Sequence, residues 1–208
     1  MIRRLIDVSC ALALLPFLLA TIPFMWLCTR AGSYPGLFFR QERVGFRGKK
    51  IQILKFCSLK MERGSLRAGP LLRLARRTGV DELPQLLLVL RGDMSCVGPR
   101  PLLAKDLFSS DMGGHGYVPA LVDRRLSVKP GMTGVAQIGH RNRAWSEGGG
   151  PALFLKDLWY VENRSILLDL LILAFTPIYA ITLGRLRFPV SAAVRISEEL
   201  PEKSPRSA

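Results

Sequence analysis

Apolar side chains cluster in one long unbroken run near the start of the chain and in shorter periodic runs after it. Residues 8–29 carry no charge, with Arg3 and Arg4 before them and Arg30 after them. About 20 apolar residues reach across a bilayer core, so this run predicts a membrane helix. It is too long for a signal-peptide core, and no small-residue cleavage site follows. Pro16 and Pro23 interrupt it. Each removes a backbone donor and bends a helix. Two topologies fit: a kinked helix that crosses, and a re-entrant one that returns to the side it entered.

Beyond this run the pattern changes to that of a compact unit. Residues 37–43 and 50–56 read as two strands around Gly45 and Gly48, a hairpin with a loose turn. Residues 70–77 predict a short basic helix, with Leu71, Leu72 and Leu74 on its apolar side. Residues 82–91 predict a second helix, with Pro84 in its first turn. The glycines and prolines of 92–101 predict a loop, followed by a mixed helical stretch to about 111. Residues 128–143 read as irregular and 148–151 as a break. Two helices close the pattern, at 152–162 and 165–183, the latter with Ser165 as N-cap and Asp169 near its start. Residues 170–184 are uncharged but short for a span, which predicts a helix in the interface or in the core. The tail from 191 is mixed in charge and is expected to be disordered.

Charge sharpens this picture. The 208 residues carry 30 Lys and Arg against 16 Asp and Glu, a net charge of +14, with a mean hydropathy of +0.21. A chain both apolar and basic suits an anionic membrane surface better than nucleic acid alone. Residues 40–77 hold twelve basic residues and only Glu42 and Glu62 against them. They follow the apolar run directly, so the positive-inside rule places them in the cytoplasm. The four cysteines are scattered without a CxxC pair, which argues against a zinc site or a disulfide framework.

Three features could carry chemistry. Asp81 and Glu82 are adjacent carboxylates. Neighbours on one element point in different directions, so each needs its own job. One could act as a nucleophile while the other binds metal or moves a proton. The plain alternative is a helix start, with Asp81 as cap and Glu82 at the positive end of the dipole. Arg100 lies between Pro99 and Pro101, which fix the backbone around a guanidinium suited to bidentate phosphate binding. Lys55 ends a predicted strand, within reach of a phosphate. The loop at 130–134, PGMTG, reads by itself only as a turn.

Taken together, these segments resemble a known family. RRLID (3–7), FFRQERVGFRGK (38–49), KF (55–56), DELPQL (81–86), VLRGDMSCVGPRP (89–101), VKPGMTGVAQ (128–137) and DLWYVENRSILLDLLIL (157–173) look like the bacterial sugar transferases, monotopic phosphoglycosyl transferases acting on a polyprenol carrier. The resemblance implies transfer of a sugar 1-phosphate from a UDP-sugar to polyprenol (undecaprenyl) phosphate, releasing UMP, as the first membrane step of exopolysaccharide assembly. Asp81 matches the nucleophile and Glu82 its partner, and both match ligands of an implied Mg2+. Lys55, Arg100 and, more weakly, Arg43 match phosphate-binding residues. The implied fold is α+β and mainly helical, with a re-entrant N-terminal membrane helix (1–36 with its connection), a small β-hairpin and interfacial amphipathic helices in a catalytic unit (37–189), then a flexible tail (190–208). The implied place is the cytoplasmic face of a bacterial inner membrane. A homodimer and downstream glycosyltransferases are the expected protein partners, and nucleic acid is not expected. Several positions depart from the family pattern. Cys57 stands where a basic residue is usual, Leu88 replaces an asparagine, His140 stands where glycine is usual, and 61–77 is short. A non-catalytic scaffold with the same fold is the alternative. It would not explain why DELPQL and the proline-flanked arginine occur together.

Overall fold

The computed structural model describes residues 1–62, 64–108, 119–140, 150–183 and 185. The expected flexible tail, and the part of the mixed helical stretch after residue 108, lie outside the described residues. The fold is α+β and mainly helical. A long helix α1 (Ile2–Ala31) precedes an antiparallel hairpin of β1 (Phe38–Val44) and β2 (Lys50–Phe56). A second small hairpin follows, β3 (Lys60–Glu62) and β4 (Ser65–Arg67). Next come α2 (Pro70–Thr78), a 3-10 turn (Val80–Gln85), α3 (Leu86–Arg91), β5 (Ser95–Val97) and α4 (Ala104–Phe108). After α5 (Pro119–Leu126), β6 (Gly131–Thr133) pairs in parallel with β5, followed by α6 (Val135–His140), α7 (Gly150–Asn163) and α8 (Ile166–Ile181).

Helix α1 runs unbroken through Pro16 and Pro23. Among the described residues it is the one helix long and apolar enough to cross a membrane. Its buried positions, Asp7, Ala11, Leu18, Met25 and Thr29, recur at four- and seven-residue spacing, so one stripe faces the body along most of its length. Both ends are fastened to that body. Near the start, Arg4 donates to the carbonyls of Val89 and Leu90 at the end of α3. Asp7 accepts from Ser95 Oγ at 2.8 Å and from the Cys96 N–H at 2.7 Å, which fixes it to β5. Arg3 Nε donates to Asp169 Oδ2 at 2.8 Å, and Tyr160 Oη donates to Asp169 Oδ1 at 2.6 Å, joining α1, α7 and α8. Past the far end, Lys60 Nζ donates to the Gly32 carbonyl at 2.9 Å, and the Gly69 N–H donates to Tyr34 Oη at 2.8 Å. The helix lies against the body rather than projecting from it. Its outward side is apolar, with Leu12, Phe17, Leu19, Phe24, Trp26 and Leu27 about half exposed.

The sequence reading holds for the first hairpin, for α2 and for α8, where Ser165 Oγ accepts from the Leu168 N–H at 3.1 Å. Elsewhere the structure differs. The stretch read as one helix at 82–91 is a 3-10 turn followed by α3, with Pro84 inside the turn. The loop at 92–101 and the irregular 128–143 hide the β5–β6 pair and α6. This pairing needs close backbone approach: a Cβ on Gly131 would meet Gly98 N at 2.0 Å, and one on Gly98 would meet the Lys129 carbonyl at 2.5 Å. Helix α7 starts at Gly150, so Pro151 occupies its first turn, where a missing N–H costs little. Helix α2 is amphipathic. Helix α8 is apolar on both sides: Leu168 and Ile172 are buried, while Leu167 and Ile181 are exposed.

Asp7 is 6% exposed and serves a buried N–H and a hydroxyl. Replacing it with Ala strands the Cys96 N–H, which costs about 1–3 kcal/mol. The expected result for Asp7→Ala is a melting temperature lower by roughly 2–12 °C, read by thermal unfolding in detergent. An unchanged melting temperature would show that α1 is not held through this contact.

Candidate active site

Three backbone devices bring the candidate residues together. On β2 the inward face holds Ile51 and Ile53, both buried. Side chains on one face of a strand recur every second residue, so Lys55 continues this face toward the interior. Helix α2 ends at Gly79, whose φ of 82° is left-handed and whose N–H donates to the Ala75 carbonyl at 2.9 Å. That reversal starts the 3-10 turn beneath β2. A 3-10 turn has three residues per turn, so Asp81 and Glu82 point about 120° apart. Arg100 is stapled on both sides. The Gly98 N–H donates to the Thr133 carbonyl and the Gly131 N–H to the Pro99 carbonyl, both at 2.9 Å, and the Val44 N–H donates to the Leu102 carbonyl at 2.9 Å.

Glu82 sits at the centre of a polar recess. Lys55 Nζ is 2.6 Å from Glu82 Oε1, and Arg100 Nη2 is 3.9 Å from the same oxygen. Arg43, Gln85 and Gln137 complete much of the lining. The structure thus brings four of the five candidates, Lys55, Glu82, Arg100 and Arg43, to one recess. Burial pulls the Lys55 ammonium below the ordinary lysine range, and the Glu82 carboxylate beside it opposes that pull. Burial also pulls Arg43 down, and the nearby Arg100 charge adds to the effect.

Asp81 is placed differently. Its side chain is buried, at 5% exposure, and faces the other way. Ser58 Oγ donates to Asp81 Oδ2 at 3.1 Å, and Arg76 Nη1 lies 3.9 Å from that oxygen. Arg76 also donates to Ser58 Oγ at 3.2 Å. Burial raises the Asp81 carboxyl above the ordinary range and the Glu82 charge raises it further, while Lys55, Arg76 and Ser58 act in the opposite sense. The pair is therefore one carboxylate presented to a recess and one held beside it by a hydroxyl and a cation. The described residues include no cluster of three or more His, Cys, Asp or Glu, so they form no all-protein metal cage. Glu82, the carboxylate that faces the recess, suits the way Mg2+ binds, through one or two carboxylates together with substrate phosphates.

An apolar cavity of about 570 Å3 adjoins the recess. Leu14 and Phe17 of α1, Leu83 and Leu86, and Leu173 and Pro177 of α8 form its walls. Glu82, Arg100, Met132 and Gln137 line both the cavity and the recess.

Sequence reading missed four residues that shape this site. Ser58 and Arg76 hold Asp81. Arg125 and Asp157 support Arg100: the Arg125 guanidinium, 2% exposed, donates from Nε to Asp157 Oδ2 at 3.1 Å and from Nη2 to the Arg100 carbonyl. Arg76 lay unremarked in the basic run. Arg125 looks in sequence like any surface arginine, and nothing local marks it as buried. Leu88, where the family has a polar residue, is 4% exposed in the core, and Cys57 is buried with Sγ 3.5 Å from the Leu59 carbonyl.

The fold and site define an enzyme with a carboxylate pair ringed by cations, set against a long apolar helix. The bacterial sugar transferase family profile matches residues 1–182, and the chain belongs to that family. It is 40% identical over 84% of its length to the uncharacterized sugar transferase EpsL of Bacillus subtilis (strain 168), covering 85% of that protein. It is 34% identical over 88% of its length to the exopolysaccharide production protein PSS of Rhizobium leguminosarum bv. phaseoli, covering 97% of it. It is also 30% identical over 83% of its length to the undecaprenyl-phosphate galactose phosphotransferase of Salmonella typhimurium, where it spans 39% of the longer protein.

Removing one partner of a buried ion pair leaves an uncompensated charge, at a cost of about 3–5 kcal/mol. Arg125→Met is expected to lower stability by that amount, and Arg125→Met with Asp157→Leu to recover most of it, both read by thermal unfolding. A double variant as unstable as the single one would contradict the pairing.

Proposed function

We propose that this protein transfers a sugar 1-phosphate from a UDP-sugar to undecaprenyl phosphate, giving a polyprenol diphosphate sugar and UMP, as the first membrane step of exopolysaccharide assembly. One observation carries the reading: a cation-rich recess and an apolar cavity share Glu82 and Arg100 as common wall. A water-soluble diphosphate and a lipid phosphate have to meet where such surfaces join. The names of the relatives from Salmonella typhimurium and Komagataeibacter xylinus, an undecaprenyl-phosphate galactose and an undecaprenyl-phosphate glucose phosphotransferase, support the same chemistry.

In this reading the Asp81 carboxylate attacks the β-phosphorus of the donor. A phosphorus–oxygen bond forms to Asp81 and the bond to the α-phosphate bridge breaks, so UMP departs with the bridging oxygen. A phosphate oxygen of the lipid then attacks the same phosphorus, and Asp81 leaves as carboxylate. Splitting the transfer in two keeps each displacement simple. Lys55 and Arg100 stabilise the charge that develops on the phosphoryl oxygens, with Arg43 at the rim. Glu82 holds Lys55 in place and is positioned to take or return a proton. Glu82, which faces the recess, would hold Mg2+, which when bound neutralises diphosphate charge. Asp81 has to be uncovered from Ser58 and Arg76 for attack, and until then the Arg76 charge favours its carboxylate form.

Membrane placement follows the same reading. Both ends of α1 are fastened to one body, which supports a helix that enters and leaves on one side, with the basic residues of 40–77 toward the cytoplasmic face of the inner membrane.

The direct test is UMP release from a panel of UDP-sugars by purified protein with Mg2+ and undecaprenyl phosphate. Lipid-dependent release is expected, and Asp81→Asn is expected to lose at least ~10^3-fold. Equal release by Asp81→Asn would overturn the assignment. A second expectation concerns pH. The reactive form of Asp81 is the carboxylate, and Arg76 opposes the upward push of burial and Glu82 on its pKa. Arg76→Gln should raise that pKa further, so the acid limb of kcat/KM should move to higher pH. A limb that stays in place or moves down would contradict the role of Arg76.

A further inference from the structure

A second groove lies away from the recess, where the C-terminal turns of α1 meet the β3–β4 hairpin and the start of α2. It encloses about 890 Å3, and none of its lining residues lines the apolar cavity or the polar recess. Its walls are apolar and outward-facing: Phe24 and Leu27 from α1, Leu66 from β4 and Leu71 from α2 are each about half exposed or more. Among the described residues three cations line the same groove, Lys60, Arg67 and Arg73, against the single carboxylate of Glu62. Lys60 is already engaged, donating to the Gly32 carbonyl and lying 5.6 Å from the centre of the Tyr34 ring. Arg67 and Arg73 are different. Both are exposed, and their bonds are long and local, Arg67 Nε to Ser65 Oγ at 3.5 Å and Arg73 Nη2 to the Ala68 carbonyl at 3.3 Å. Neither has a carboxylate within ion-pair distance among the described residues.

We infer that this groove binds one anionic phospholipid of the surrounding bilayer, its phosphodiester on Arg67 and Arg73 and its acyl chains along Phe24, Leu27, Leu66 and Leu71. The inference rests on the membrane placement proposed above. Charge and apolarity select the occupant together. A soluble anion would leave the apolar walls wet, and a zwitterionic lipid would leave the two guanidinium charges unanswered. An anionic lipid meets both, and juxtamembrane basic residues attract such lipids in proportion to their number. The groove is also continuous with the outward apolar side of α1, which carries Phe24 and Leu27, so a lipid reaches it by lateral diffusion. Its occupancy would brace the C-terminal end of α1 against α2, whose last turn carries Arg76 and leads to Asp81.

Native mass spectrometry of the full chain, released from mixed micelles of phosphatidylglycerol and phosphatidylcholine, tests the inference. The wild type should keep one phosphatidylglycerol in preference to phosphatidylcholine. Arg67→Gln with Arg73→Gln should weaken that retention roughly 25-fold, at about fivefold per cation. Arg40→Gln with Lys105→Gln removes the same charge from exposed positions elsewhere and should leave retention unchanged. Leu66→Glu, which places an anion in the groove at an exposed position, should also weaken it. Equal retention of the two lipids by the wild type, or equal phosphatidylglycerol retention by all variants, would overturn the site. Displacement by glycerol 3-phosphate alone would show a simple anion site and overturn the lipid assignment. UMP release measured on the same preparations keeps the two questions apart: a wild type that turns over without lipid preference loses the groove and not the transferase reading.

Discussion

The contact between Lys55 and Glu82 fixes the geometry of the site. At 2.6 Å and largely out of water, it joins the inward face of a strand to a 3-10 turn. Charged groups taken out of water need partners, and each of these supplies the other's. Holding Glu82 toward Lys55 and Arg100 leaves Asp81 to point toward Ser58 and Arg76. Two carboxylates adjacent in sequence thereby acquire different surroundings. Burial raises Asp81 and lowers Lys55, while opposite charges across the site act against both shifts.

The rest of the fold presents this cluster at an apolar boundary. Helix α1 is fastened through Arg3, Arg4 and Asp7 at one end and through contacts to Gly32 and Tyr34 at the other. Its outward side is apolar, and α8 adds a second exposed apolar face. Between them lies the cavity that opens on Glu82 and Arg100. Arg100 owes its position to backbone bonds from Gly98, Gly131 and Val44, and to the buried Arg125–Asp157 pair beneath it.

The sequence made some of this legible for clear physical reasons. Strand residues flanking Gly45 and Gly48 read as a hairpin because the partners are neighbours in the chain. Ser165 read as a cap because its role is local. The β5–β6 pair was hidden because its strands are three residues long and far apart in sequence. In sequence Gly98 reads as part of a loop and Gly131 as part of a turn, whereas the structure uses both for close approach between strands. Family likeness marked Asp81, Glu82, Lys55, Arg100 and Arg43. It did not mark Ser58, Arg76 or Arg125, whose roles follow from which side chains lie opposite them in space. Nor did the pattern foretell that Asp81 is the more buried of the two carboxylates.

In the proposed mechanism Asp81 carries the phosphosugar between donor and lipid. Intact-mass measurement of the protein after incubation with a UDP-sugar that supports turnover, without lipid acceptor, tests this most directly. A mass increase of one sugar phosphate, lost on adding undecaprenyl phosphate and absent in Asp81→Asn, is the predicted result. UMP formed only when lipid is present, with no adduct at any time, would contradict it and favour direct transfer between the two substrates.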